Sequence, residues 1–469
     1  MKIYDRLYKE LKFPKLILEL LDCPGLLRLR EVRMANNQFV AFPSFSTATR
    51  YEHSLGVCYL AGICAEAIEL GERETLELMI ACLYHDVGTP PFAHAMEEVL
   101  QAKFGFDHEI NLKNLIIGNT GSFDGELAQI YQGEGLKIRS VCQSSQARKL
   151  GIDIFRIAKL AAGDRNEMLS PLINSDGMDL DNIDNILRAT SAMGILPFEG
   201  GEMAKNLANA FLRRGNKIYY NGFYSSDIKK WQKIRDIQYT AIFESIDDFS
   251  YQTMIKKAIT LLLEEDDDVQ KLDINSWRLT DSSITYNYLL KHTKSSQIMK
   301  RVLLYRPFLC IGVLYVSGLN VSHYINKNIK EIEKEAGEYY IYTLGISKQK
   351  INSNNLDPII ANFYPDKRKR QIKGKAILWN EEIAIDEQET IVQGALLGLF
   401  TPYSNSNFKY VDDDSISKRK IISFRRQDLK GMIEHLEKGI LRQYKVTVYG
   451  GNESGKFTTN TESNQLGLF

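Results

Sequence analysis

Several things that would each point to a function are scarce or missing in this chain. Its 469 residues include only 6 cysteines. Cys23, Cys58, Cys64, Cys82, Cys142 and Cys310 never stand as a CxxC pair, which argues against a thiolate zinc ribbon or a dithiol redox motif and reads as reduced core thiols. An excess of charge of one sign is also missing. Lys+Arg and Asp+Glu both number 59, so no global basic field points to nucleic acid and any anionic ligand must be held locally. No apolar run reaches the roughly 18 residues that a membrane span needs. The first residues, MKIYDRLYKELKFPKLILELL, alternate in charge and lack a small-residue cleavage site, so a cytoplasmic protein that does not cross a membrane is expected. No internal repeat is visible.

What is present is a substantial core. With 44% hydrophobic and 25% charged residues, the chain is too apolar to be disordered overall and long enough for two or three packed units. Apolar residues recur three and four apart through LGVCYLAGICAEAIEL and LELMIACLYHD, so residues 1–260 are expected to be mainly helical. The acids 264–268 repel one another and suggest a soft boundary there. Beyond it, 302–316, 338–346 and 444–450 are rich in β-branched and aromatic residues and predict strands, with helices at 327–337 and 426–440. The expectation is a mainly α core over 1–260, an α+β accessory, oligomerisation or regulatory region over 261–450, and a mobile polar tail over 451–469.

Four of the seven histidines, His53, His85, His94 and His108, fall close together in the first quarter of the chain. His85 and Asp86 are adjacent at the end of an apolar helix pattern that Gly88, Pro90 and Pro91 break, and carboxylates cluster in SDGMDLDNID over 175–184. Imidazole and carboxylate without thiolate suit a divalent Mn, Fe, Zn or Co ion with positions left open for water or phosphate. A lone histidine in an apolar helix is ordinarily a core residue; the ordered set is what raises the metal reading.

The strings LLRLREVR (26–33), FPSFSTATRYEHSLGVCYLAG (42–62), LYHDVGTPPFAHAMEE (83–98), FDHE (106–109) and GMDLDNID (177–184) together resemble the HD-domain phosphohydrolases, specifically their deoxynucleoside triphosphate triphosphohydrolase branch. The resemblance implies an all-helical HD core and a metal held by His53, His85, Asp86 and Asp181, with Asp179 and Asp184 as competitors for the last place. It implies catalytic roles for His94 and Glu97, which at i and i+3 share a helix face, and a phosphate-lining role for His108. Arg50 matches an arginine that approaches the α-phosphate. The segment 225–243 resembles a helix whose Lys230, Lys233 and Arg235 meet the outer phosphates and whose Tyr239 meets the sugar, although a basic amphipathic helix is ordinarily a solvated face. Magnesium would accompany the triphosphate. The implied reaction yields a deoxynucleoside and inorganic triphosphate, in a homo-oligomer with nucleotide effectors, serving nucleotide-pool control or phage defence.

The sequence also departs from the family. Met34 falls where eukaryotic relatives place a sugar-reading glutamine, Asn185 and Ala189 where they place a tyrosine and an aspartate, and Thr89 where a histidine is frequent. These changes admit two readings, a different nucleotide or another phosphoester as substrate; a separate, non-enzymatic alternative is an HD fold with an intact site that senses nucleotide and controls a protein partner. The basic stretch 366–375, with 418–420 and Arg425 and Arg426, reads either as a nucleic-acid contact or as solvated loops.

Overall fold

The computed structural model describes residues 2–35, 42–118, 134–175, 177–195, 200–243, 246–264 and 272–306, together with eight C-terminal strands between 309 and 459. The first part is a helical body. Its centre is α1 (Arg50–Ala67), packed on α2 (Glu72–Tyr84) and on α5 (Leu180–Ala192). The start of α1 is fixed by a capping box in which the Thr49 hydroxyl accepts from the Glu52 amide and Glu52 answers the Thr49 amide. Helix α2 gives out at Tyr84, leaving His85 and Asp86 on the turn where Gly88, Pro90 and Pro91 interrupt the pattern. Asp107 caps α4 (His108–Ile117) and Asp179 caps α5, each side chain accepting the amide three residues on.

The main core gathers apolar side chains of α1, α2, α5 and the N-terminal hairpin β1 (Ile3–Asp5) and β2 (Lys9–Leu11). A second hairpin, β3 (Phe211–Arg214) and β4 (Lys217–Tyr220), precedes α6 (Ser225–Phe243). Both hairpins lie in the stretch that the periodicity marks as helical; they are too short to register against it. The helical body also continues past the acidic run. Helices α7 (Ile246–Glu264) and α9 (Thr293–Leu303), on either side of it, bury Met254, Ile255, Met299 and Val302 in one cluster with Met96 and Leu100 of α3 (His94–Phe104). Between them α8 (Asp281–Ile284) runs into a π-helical turn, Thr285–Leu289.

The C-terminal strands are antiparallel. β5 (Leu309–Ser317) lies between β10 (Gln388–Thr401) and β11 (Lys445–Gly451), with β6 (Tyr340–Ile351) beyond β10 and β12 (Phe457–Thr459) beyond β11. β7 (Pro358–Phe363) pairs with β8 (Ile372–Ile377), and β9 (Ile383–Ala384) adds to the edge of β4. The mainly α class with C-terminal strands is therefore as expected. Within 302–316 the chain remains helical to Leu303 and turns to strand only at Leu309, and β12 falls inside the segment expected to be tail. The helices expected at 327–337 and 426–440, and the basic stretch 366–375 apart from its strand residues, lie outside the described residues. No helix among the described residues is long and apolar enough to cross a membrane.

Candidate metal centre

His53 sits one turn into α1 and is almost wholly buried. Its two ring nitrogens are committed to different carboxylates: Nδ1 lies 2.7 Å from Oδ1 of Asp184 and Nε2 lies 2.8 Å from Oδ1 of Asp181. The two acids are three apart on α5 and so share a face. Asp184 is fully buried and saturated, accepting also from the Tyr8 hydroxyl at 2.7 Å and from Nε and Nη2 of Arg188 at 2.8 and 3.0 Å. Arg188 in turn donates to Asp5 at 2.8 Å. Asp184 therefore orients the imidazole from behind, while Asp181 faces the cleft. Asp179, the other competitor, is occupied as the α5 cap by the amides of Asn182 and Ser175.

His85 is held at its Nδ1, 2.7 Å from the Cys82 carbonyl, which leaves Nε2 with the lone pair. That Nε2 is buried and has no hydrogen-bond partner, yet lies 3.7 Å from Oδ1 of Asp181 and 3.8 Å from Oδ2 of Asp86. Ligand atoms of His53, His85 and Asp181 all fall within 4.8 Å of one another, and Oδ2 of Asp86 is 3.9 Å from Nε2 of His53. An orphaned buried nitrogen facing two carboxylates is what a divalent cation would satisfy, and the nitrogen and oxygen donors match the transition metals expected. A carboxylate behind the His53 ring and a backbone carbonyl behind the His85 ring are the supports that metal-bound imidazoles ordinarily have.

Electrostatics follow from this crowding. Burial disfavours the His53 imidazolium, but the hydrogen bonds and charges of Asp181 and Asp184 outweigh it and push the group up to about 10. His85 is likewise raised by Asp86 and Asp181 against the effect of burial. Burial resists ionisation of Asp181 and Asp86, yet both carboxyls are held far below the usual range, Asp181 by the two histidines and Asp86 by Arg50 and then the histidines. Asp179 moves the other way, raised by burial and by the neighbouring Asp181 charge.

These groups line a cleft of about 280 Å³ together with Met34, His94, His108, Glu109, Asn174 and Asn185. Arg50 is at the first position of α1, only 14% exposed, and donates from Nη1 to Oδ2 of Asp86 at 2.7 Å. Its Nε is buried without a hydrogen-bond partner, as is Nε2 of His108. His94 opens α3 at the rim, 77% exposed, with Nδ1 3.2 Å from Oε2 of Glu97. Burial lowers His108, and hydrogen bonding and charge from His94, with the charges of His108 and Arg50, hold Glu97 low against its own burial.

The basic helix does not join them. Ile228 and Trp231 of α6 are buried against the body, which turns Lys230 and Lys233 outward; Lys230 pairs with Asp227 at 3.8 Å, and Arg235 is half-buried on the packed side. None of these three lines the cleft, because the apolar stripe of the helix decides which face is presented. The side chain of Tyr239 lies outside the described residues. Sequence reasoning also missed the Tyr8–Asp184–Arg188–Asp5 cluster. A faint signal existed: Asp184 and Arg188 are spaced i, i+4, and Gly56, one turn beyond His53, leaves the room that Asp184 fills.

The HD domain family matches residues 50–144. Deoxynucleoside triphosphate triphosphohydrolase SAMHD1 of Mus musculus is 35% identical over 105 residues, 21% of this chain and 16% of that protein. The SAMHD1 homolog of Dictyostelium discoideum is 29% identical over 206 residues, 41% of this chain and 36% of its own length. The uncharacterized protein MJ1154 of Methanocaldococcus jannaschii is 23% identical over 317 residues, 65% of this chain and 60% of its own length. The matched segments thus span less than two thirds of each relative. The motif strings, the helical body and these relatives agree in placing an HD domain at residues 50–144, and over part of its length the chain is similar to deoxynucleoside triphosphate triphosphohydrolases.

Proposed function

We propose that this chain is a metal-dependent phosphohydrolase that cleaves deoxynucleoside triphosphates to deoxynucleoside and inorganic triphosphate. The observation that carries the reading is that three buried nitrogens without partners, His85 Nε2, Arg50 Nε and His108 Nε2, belong to one cleft with Asp86 and Asp181. Such groups are costly unless a cation and an anion meet them, and a metal-bound phosphate supplies both. His53, His85, Asp86 and Asp181 would hold the metal, which when bound polarises a phosphoryl oxygen and acidifies water. Arg50 keeps Asp86 ionised and turned inward, and offers its remaining N–H groups to a phosphate oxygen. His108 donates to a more distal phosphate. His94, oriented by Glu97, holds or delivers a proton at the cleft mouth, where the leaving oxygen would depart. The substrate's phosphates would face the charged side chains of the cleft, leaving Met34, Asn174 and Asn185 for the nucleoside.

Magnesium accompanying the triphosphate, a homo-oligomer, a nucleotide effector, and a role in pool control or phage defence extend this reading and rest on the family resemblance. Met34 and Asn185 in the cleft favour one second reading, a phosphohydrolase acting on another nucleotide, because neither side chain reproduces the sugar contacts of the relatives. Incubating the protein with Mn²⁺ or Mg²⁺ and a panel of dNTPs, NTPs and 5′-monophosphates, with product analysis, separates the two. Triphosphate release from dNTPs supports the first; orthophosphate release from monophosphates alone overturns it.

A further inference from the structure

Helix α3 begins in an unusual way. The two residues before His94 both have positive φ, 54° at Phe92 and 45° at Ala93, and Ala93 provides no side-chain cap. For non-glycine residues such backbone is strained and persists only where neighbours impose it. The neighbour here is Asp281, at the start of α8. It is 6% exposed, accepts the Phe92 amide on Oδ1 at 2.9 Å, and accepts the Arg33 amide on Oδ2 at 3.1 Å. Arg33 bridges to Thr49, and the flanking amides of Met34 and Arg50 bond the carbonyls of Ala48 and Val32 at 2.9 Å each. One carboxylate thus braces both the turn that delivers His94 and the segment that sets Arg50. Arg28 adds a parallel tie, donating to the carbonyls of Val87 and Thr89 just after Asp86 and to those of Trp277 and Leu279 just before Asp281.

We propose that Asp281, well outside the HD match at 50–144, is a positioning residue for His94: it holds the strained Phe92–Ala93 turn that aims the imidazole at the cleft. The proposal rests on the reading of His94 as the proton-handling group. A carboxylate is needed because both oxygens accept backbone N–H groups, and an amide would turn an N–H donor against one of them.

The test is Asp281→Asn, assayed for dNTP turnover, Mn²⁺ affinity and hydrogen exchange over residues 92–97. The expected result is a kcat lower by roughly 10- to 100-fold, unchanged KM and Mn²⁺ affinity, and faster exchange at the Phe92 amide. Ala93→Gly in the same chain is expected to restore most of the kcat, since glycine adopts that φ without strain. Should Asp281→Asn not fold, Ala93→Val tests the same turn from the other side and is expected to lower kcat while leaving Mn²⁺ bound. Unchanged exchange and kcat would overturn the proposal, and so would a loss of stability and metal together with no rescue by Ala93→Gly. A parallel His94→Ala variant that keeps full turnover would overturn the role of His94 instead, while the exchange measurement still judges the brace.

Discussion

Replacing Asp184 by Asn keeps the shape of the residue and removes its charge. In the native protein that carboxylate accepts four bonds, from His53, Tyr8 and twice from Arg188, all between 2.7 and 3.0 Å. The amide can accept at one oxygen only, so the guanidinium of Arg188 is left with Asp5 as its charged partner and His53 loses the carboxylate that fixes its ring. Breaking a buried ion pair typically costs about 3–5 kcal/mol, and retention of Asp5 places this variant near about 3 kcal/mol. Loss of the carboxylate behind a ligating histidine lowers metal affinity by roughly 10- to 100-fold. Urea unfolding reads the first quantity and calorimetric titration with Mn²⁺ the second. Glu77→Gln is the control. Glu77 is equally buried and accepts from Arg73, Arg156 and the Asp153 amide, but lies away from the cleft, so its loss should destabilise the fold without touching metal affinity. If the two variants weakened Mn²⁺ binding equally, Asp184 would be a fold residue and its orienting role would be refuted.

Other consequences can be measured in the same preparations. Because Asp181 and Asp184 raise His53 to about 10 against its burial, a metal binding at neutral pH must displace its proton. Mn²⁺ affinity should therefore rise with pH, by up to about tenfold per unit, until about 10, and titrations in buffers of different ionisation enthalpy should register proton release. The same raised group stabilises the metal-free protein in full below its unfolded value near ~6.5, and that contribution fades as pH climbs through about 10. Gly56→Ala would place a Cβ 1.9 Å from Oδ2 of Asp184, and the repacking should cost about 1–3 kcal/mol and weaken Mn²⁺ binding, read by melting and titration. Arg50→Met frees Asp86 from its cation, and turnover assays should show higher KM for a triphosphate, with metal still bound.

The candidate centre was partly legible because several of its residues sit where local rules operate. His85 and Asp86 stand at a helix end announced by Gly88 and two prolines, and Asp181 lies in the first turn after a cap that Asp179 supplies. Choosing among Asp179, Asp181 and Asp184 needed the third dimension: one caps, one faces the cleft, and one is buried against Gly56 and Arg188. The basic helix misled because charge counts say nothing about which face a helix buries; Ile228 and Trp231 settle that for Lys230 and Lys233. Asp281 and Arg28 gave no signal at all. They bond backbone atoms 189 and 249 positions away, and backbone partners leave no mark on the sequence.

Metal analysis of the purified chain beside His85→Ala and Asp181→Ala tests the centre most directly. About one equivalent of a divalent transition metal in the native protein, lost together with dNTP hydrolysis in both variants, is the expected result. Full metal content and turnover in either variant would mean that the His85 imidazole at the end of α2 and the Asp181 carboxylate at the head of α5 do not grip a cation.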